Sequence, residues 1–379
     1  MSIYNFGRIE HITSLIDKYK NNKKMLFGLY IERGLAYIDI GAKANALEDF
    51  QKALEINDKS WELYYNFGIL YLNFDEKEKA KEYFEKSLSL NPKAYINYFQ
   101  LGNIYAWDKK YEIAIEYFTK VIKMNRKYYD AYNNRALCYK EKGKYEEALK
   151  DINRAINIKH RNPEFYYNRG NILLKMQQID KAIDSFSTSI GLDYRNVDSY
   201  YARGIALTYK GQFKDAIKDL TNAINLIDFL DEEALYIHIL PYYYTVRGAI
   251  FLAYWLKKEA DMDFIKAEKL YGNINGNNRE YIINHILNLL YLDKLDEADK
   301  LLKKCAEIGY TPPIWFIYNA CLEWRKNKNL DTTLKFIEDG LKIGYKFDYF
   351  IKANLFEGYF LKEIIENDKF KEIYTKYSK

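Results

Sequence analysis

One interval constrains this chain more than any other feature: small residues return every 34 positions, at Gly34, Gly68, Gly102, Ala136, Gly170 and Gly204. Twelve residues after each stands an alanine, Ala46, Ala80, Ala114, Ala148, Ala182 and Ala216, without exception. Four residues further come Phe50, Phe84, Phe118, Ile152, Phe186 and Leu220. Within one copy, residues 61–92, Tyr64, Gly68 and Tyr71 recur at helical spacing, followed by Ala80, Phe84 and Ser87. A short polar break at 73–79 parts the two sets, so the copy reads as two antiparallel helices with facing stripes. Gly68 and Ala80 permit close approach, Tyr71 and Phe84 fill the space around it, and Pro92 ends the second helix.

Six copies in register exclude coincidence. The 34-residue period with this pattern resembles the tetratricopeptide repeat family. That resemblance implies an all-α, right-handed α-solenoid (superhelix) of tandem helix-turn-helix pairs, about nine in all. Residues 1–26 are expected to cap the start, with Ile9, Ile12, Leu15, Ile16 and Tyr19 on one helical stripe. Six regular repeats fill 27–230. Their internal turns place Gly41, Gly143 and Gly211 where a left-handed cap is expected, and Asp75, Lys109 and Gln177 elsewhere. The spacing then breaks: Gly248 follows Gly204 by 44 residues, so ten are inserted. Residues 231–272 read as an inserted helix plus a seventh repeat, and GNINGNN at 272–278 as a flexible loop. Two divergent repeats occupy 279–345, and capping helices occupy 346–379.

Composition limits function less than the repeat does. The chain has 379 residues, with 58 Lys and Arg against 53 Asp and Glu, a net charge of +5. That balance argues against nucleic acid and anionic membrane surfaces as partners. The cysteines, Cys138, Cys305 and Cys321, form no CxxC pair and fit reduced thiols. The absence of a signal-peptide run or a membrane-length apolar stretch leads to the expectation of a cytoplasmic protein. The 39 tyrosines fall largely at packing places such as Tyr37, Tyr71, Tyr105 and Tyr139. No catalytic constellation occurs. His11, His160, His238 and His285 are dispersed, and no phosphate loop is present. The acids Asp228, Asp231, Glu232 and Glu233 read as a helix start rather than a metal site. A non-enzyme without cofactor or metal is therefore expected.

The family resemblance implies that the first helix of each pair lines a concave groove that binds partners. With Trp61 as place 1, place 6 reads Glu32, Asn66, Gln100, Asn134, Asn168 and Ala202. Place 5 reads Ile31, Tyr65, Phe99, Asn133, Tyr167 and Tyr201, and Asn103 and Asn171 fall on the same face. Side-chain amides both donate and accept, so a row of them suits an extended peptide backbone. It resembles the asparagine ladder of some long superhelical members. The alternative is that these amides tie neighbouring first helices together or face water. Arginines stand at Arg33, Arg135, Arg169, Arg203 and Arg247; the favoured reading is structural pairing with a second helix, and the other is anion recognition. The carboxylate-clamp class is disfavoured, because its places hold Ile31, Leu35 and Ile96. The expected function is a protein-interaction scaffold holding an extended or helical peptide. A self-assembling structural protein and, behind it, an RNA-binding repeat are the alternatives.

Overall fold

The computed structural model describes residues 2–229, 236–272, 278–345 and 356–377. Among them are 21 helices and no strand. The chain divides into two compact units, 1–168 and 169–379. In the first, α1 (Ser2–Lys18) precedes four pairs: α2 (Lys23–Asp39) with α3 (Lys43–Ile56), and α4 (Trp61–Asn73) with α5 (Lys77–Leu90). Next come α6 (Tyr95–Trp107) with α7 (Tyr111–Met124), and α8 (Tyr129–Glu141) with α9 (Tyr145–Ile158). The next pair is α10 (Pro163–Lys175) with α11 (Ile179–Leu192). In the second unit α12 (Val197–Tyr209) pairs with α13 (Phe213–Phe229), and α14 (Leu240–Ala253) with α15 (Lys257–Gly272). Then follow α16 (Arg279–Tyr291), α17 (Leu295–Glu307), α18 (Pro313–Asn327), α19 (Leu330–Lys342), α20 (Glu357–Ile365) and α21 (Asp368–Tyr377).

The recurring residues explain the pairing. The alanines of place 20, from Ala46 to Ala216 and again Ala260, have no solvent exposure, and neither do Phe50, Phe84, Phe118 and Phe186. Each of these phenylalanines lies flat against the glycine of its own first helix. A Cβ on Gly102 would stand 2.7 Å from Phe118 Cε1, and one on Gly248 2.7 Å from Phe264 Cε1, closer than carbon atoms pack. Burying one such ring stabilises a pair by about 1.5–3 kcal/mol. Where the small residue is Ala136, the facing residue is Ile152; where it is Gly204, the facing residue is Leu220. The sizes of the two places are matched copy by copy.

Each pair turns through one left-handed residue. Gly41, Gly143 and Gly211 have φ of 75°, 71° and 75°. Asp75, Lys109 and Gln177 adopt the same conformation at 57°, 59° and 56°, and Trp255 and Asp293 extend the series at 64° and 60°. Between repeats, Ser60 caps α4 by accepting the Leu63 amide at 3.2 Å, and Asn196 caps α12 through the Ser199 amide at 2.8 Å. In the second unit one apolar core joins Leu207 and Leu220 to Ile286, Cys321, Ile337 and Phe370, so the divergent copies share a single interior. Of the inserted helix expected at 231–240, residues 231–235 lie outside the described residues, as do 273–277 of the expected loop and residues 346–355. Residues 237–239 form a turn, and Leu240 already begins α14.

Candidate functional site

The first helices of the first unit carry a continuous chain of amides. Gln100 Nε2 donates to Tyr65 Oη at 3.3 Å, and Asn103 Nδ2 donates to Gln100 Oε1 at 3.3 Å. Asn134 Nδ2 donates to Asn103 Oδ1 at 2.8 Å, and Asn133 Nδ2 donates to Asn134 Oδ1 at 3.1 Å. Asn168 Nδ2 donates to Asn133 Oδ1 at 2.9 Å, and Asn133 Nδ2 also reaches Glu164 at 3.4 Å. The chain therefore links α4, α6, α8 and α10 side by side. Polarised head to tail, such bonds strengthen one another and fix each amide's orientation.

The row is not uniformly open. Asn133 and Asn168 are buried, at 3% and 7% exposure, and serve as ties beneath the surface. Gln100, Asn103 and Asn134 are half-buried and retain unused donors or acceptors. Asn66 is half-buried and makes no side-chain hydrogen bond to any described residue. The aromatic row rests on the core by one face. Tyr65 lies 5.7 Å from Phe84, and Phe99 lies 5.8 Å from Phe118 and edge-on to Tyr128 at 5.0 Å. Burial raises the Tyr65 hydroxyl above its usual pKa, against the Gln100 bond, so it stays a neutral partner. Tyr167 is half-buried on α10. In the second unit Asn171 is half-buried, and Tyr201 stacks on Tyr243 at 4.2 Å.

The arginines have a different task. Arg33 grips Asp49 with two bonds of 2.7 Å, Arg135 grips Asp151 at 2.6 and 2.9 Å, Arg203 grips Asp219 at 2.7 and 2.8 Å, and Arg247 grips Asp263 at 2.7 Å twice. Each acid lies 16 residues on, at place 23 of the same repeat's second helix. Arg169 finds Ser185 there, at 3.0 Å. A third nitrogen reaches a hydroxyl of an earlier helix: Thr13, Thr119, Ser187 or Thr221. The bonds to Asp49 and Asp219 raise the pKa of Arg33 and Arg203. Burial works against Arg135, and Asp151 outweighs it. These side chains rivet three helices together and are spent on structure. The place-23 acids escape a reading of the sequence that looks one place at a time. Their signal is that they occur where place 7 is arginine.

Family comparison decides what this arrangement belongs to. Models described as tetratricopeptide repeat match residues 27–60, 62–94, 96–128 and 163–196, and another matches 117–150. A model described as TPR repeat matches 137–177. The chain is a tetratricopeptide repeat protein. No curated protein sequence matches it. Among solved structures, a tetratricopeptide repeat protein from Parabacteroides merdae is 19% identical, with a TM-score of 0.52 over 70% of this chain and 99% of that one, a likeness of fold. YrrB, described as a TPR protein with an unusual peptide-binding site, is 25% identical, with a TM-score of 0.40 over 47% of this chain and 91% of its own. Pseudomonas aeruginosa PilF is 18% identical, with a TM-score of 0.48 over 56% and 93%.

Beyond its regular copies, this tetratricopeptide repeat chain holds a further, half-buried polar cluster in the second unit. Glu268 meets His285 Nε2 at 3.1 Å and accepts from Asn288 at 3.0 Å and Lys294 at 3.1 Å. Burial opposes its ionisation, and these partners prevail, holding the carboxyl at about 2. Thr245 completes the group by donating to Asn288 at 3.1 Å. The cluster joins α14, α15, α16 and the start of α17, and its acceptors are taken. Sequence motifs offered no sign of it, because His285 lies where the repeat has decayed. The three cysteines are buried thiols, and burial pushes Cys138 up to about 12. Among the described residues no group of three or more His, Cys, Asp or Glu is placed to hold a metal, and no helix is long and apolar enough to cross a membrane. Residues 231–233 of the acidic run lie outside the described residues.

Proposed function

We propose that the chain is a protein-interaction scaffold whose first-helix face over α4–α10 binds an extended or helical segment of another protein. The observation that supports this reading is the half-buried end of the amide chain, Gln100, Asn103 and Asn134, together with the unbonded Asn66 and the rings of Tyr65 and Phe99. A partner's backbone brings alternating donors and acceptors, which amides match without reading sequence. The aromatic rings offer apolar area for its side chains. The mutual bonds matter here as much as the free ones. They hold Gln100, Asn103 and Asn134 in one orientation before a ligand arrives, which spares about 0.5–1.5 kcal/mol of ordering per side chain.

The test is position-specific photocrosslinking in cells, with a photoreactive residue at Asn66 or Asn103 and, as controls, at Glu82 or Glu116. The controls are exposed on second helices. Crosslinks to one partner segment through 66 and 103, and not through 82 and 116, are expected. Equal crosslinking from all four positions would sink the groove reading. Crosslinks to a second copy of the chain would favour self-assembly.

A further inference from the structure

The turns between repeats carry an ordered row of cations. Five such turns, 57–60, 91–94, 125–128, 159–162 and 193–196, have one backbone conformation. Their first residues, Asn57, Asn91, Asn125, Lys159 and Asp193, hold φ between −151° and −132° and ψ between 82° and 100°. In four of them the side-chain oxygen of that residue accepts the amide two positions on, at 3.0–3.1 Å. The third residue of every turn is basic: Lys59, Lys93, Lys127, Arg161 and Arg195. Lys and Arg make up 58 of 379 residues, so composition does not account for five in succession. All five are exposed, and none forms a side-chain hydrogen bond or ion pair among the described residues. At the corresponding place after the sixth repeat stands Phe229, the last residue of α13 and 79% exposed, in place of a cation.

Nearby acids, Asp58 beside Lys59 among them, form no ion pair with the row. Glu62, Asp130 and Glu164 stand three residues after Lys59, Lys127 and Arg161, and none pairs with its cation. Glu62 accepts from Ser60 at 2.9 Å, and Glu164 accepts from Asn133. Within the first unit, Lys59, Lys93, Lys127 and Arg161 are four rungs on identical turns. The first helices that follow these turns touch through the amide chain, so rungs recur at the packed-helix distance of about 8–10 Å. That is close to the screening length at physiological salt, ~8 Å, so each rung acts on its own nearest counter-charge.

We infer that the row of Lys59, Lys93, Lys127 and Arg161 is a docking surface for an extended acidic protein segment with a carboxylate at about every third residue. An extended chain in the polyproline-II conformation advances about 3.1 Å per residue with three residues per turn, so every third side chain returns to one face about 9 Å on and meets a rung. Each strand of a DNA double helix places charges about every 3.4 Å of axis, and most would find no cation. In the four turns of the first unit the one tyrosine, Tyr128, packs on Tyr95 and Phe99, and the exposed ring there is that of His160; the fifth turn exposes Tyr194, at 71%. The surface is separate from the amide face: no rung bonds to an amide of that chain, so either can fail alone.

Fluorescence anisotropy of the full-length protein tests this with a labelled peptide of about 15 residues carrying Glu at every third position, long enough for four rungs. A lysine peptide of the same pattern and a single-stranded oligonucleotide of equal charge to the Glu peptide serve as comparison ligands. K59Q/K93Q/K127Q/R161Q is expected to lower affinity for the Glu peptide at least about tenfold. K20Q/K24Q/K144Q/K150Q, which removes the same charge from other exposed lysines, is expected to change it less than about threefold. Far-UV circular dichroism confirms that both variants keep their helices. The inference is overturned if the two variants lose affinity equally, if the oligonucleotide binds more tightly than the Glu peptide, or if the lysine peptide binds as well.

Discussion

The second and fourth repeats solve one packing problem in two ways. Repeat four faces Ala136 with Ile152 and clamps its helices with Arg135 and Asp151. Repeat two faces Gly68 with Phe84, and at the arginine and aspartate places it has Phe67 and Tyr83, stacked at 4.8 Å. Tyr71 adds a third ring at 5.2 Å from Tyr83. The change is concerted. Thr119, the hydroxyl that Arg135 reaches on the preceding second helix, corresponds to Gln51 in front of repeat two. Repeat three makes the same exchange as repeat two, with Leu101, Tyr117 and Glu85 at these places. Places 7, 23 and the preceding 25 thus form one unit of substitution. In repeats one to four and six it is either a polar rivet or an apolar plate, while repeat five sets Arg169 against Ser185; an arginine with no polar residue at place 23 would be left as a buried charge.

That rule predicts the largest effect. D151A strands Arg135, whose side chain is only 15% exposed, and is expected to destabilise by about 3 kcal/mol. R135L/D151Y transplants the plate of repeat three, with Tyr139 available as its third ring. It is expected to lie within about 1.5 kcal/mol of the parent. Hydrogen exchange of α8 and α9 amides reads this locally, which suits an array that need not unfold in one step. If the double variant is as damaged as D151A, the places are not an exchangeable unit.

A second contrast concerns size. A Cβ at Gly68 would collide with the Phe84 ring, so G68A is expected to cost about 1–3 kcal/mol. Adding F84I recreates repeat four's Ala–Ile match and is expected to recover part of that loss. Protection of α4 and α5 amides measures both. A G68A cost equal to that of G68A/F84I would mean that glycine is needed there for some reason other than the ring.

These two contrasts also mark what a sequence reader can see. The glycine, alanine and phenylalanine places stand out because each is nearly constant at 34-residue spacing. Place 23 reads Asp49, Tyr83, Tyr117, Asp151, Ser185, Asp219, which looks like noise until it is set beside place 7. The amide face was legible from helical geometry, since places 5, 6 and 9 share one side of a helix. What those amides bond to was not legible. Whether Asn133 meets a ligand or Asn168 depends on how closely neighbouring first helices approach, which periodicity does not encode. The cationic row was hidden by a balanced overall charge, because a net of +5 says nothing about which cations lack partners.

The smallest contrast lies in the turn. Repeat four turns at Gly143, with φ of 71°, and repeat two at Asp75, with φ of 57°. A side chain in the left-handed region costs about 1 kcal/mol relative to glycine, less for aspartate, which tolerates that region better than most. Glycine loses more backbone entropy on folding, about 0.4–1 kcal/mol, and offsets much of the gain. The Lys77–Asp75 contact, 3.8 Å with Asp75 89% exposed, contributes little. D75G is therefore expected to stabilise by less than about 1 kcal/mol, and G143D to destabilise by a similar amount. Thermal unfolding of the two variants provides the check. If D75G lowers the midpoint, the aspartate supports its turn through a local bond rather than merely enduring the conformation. The two repeats would then differ in turn chemistry as they do in their seams.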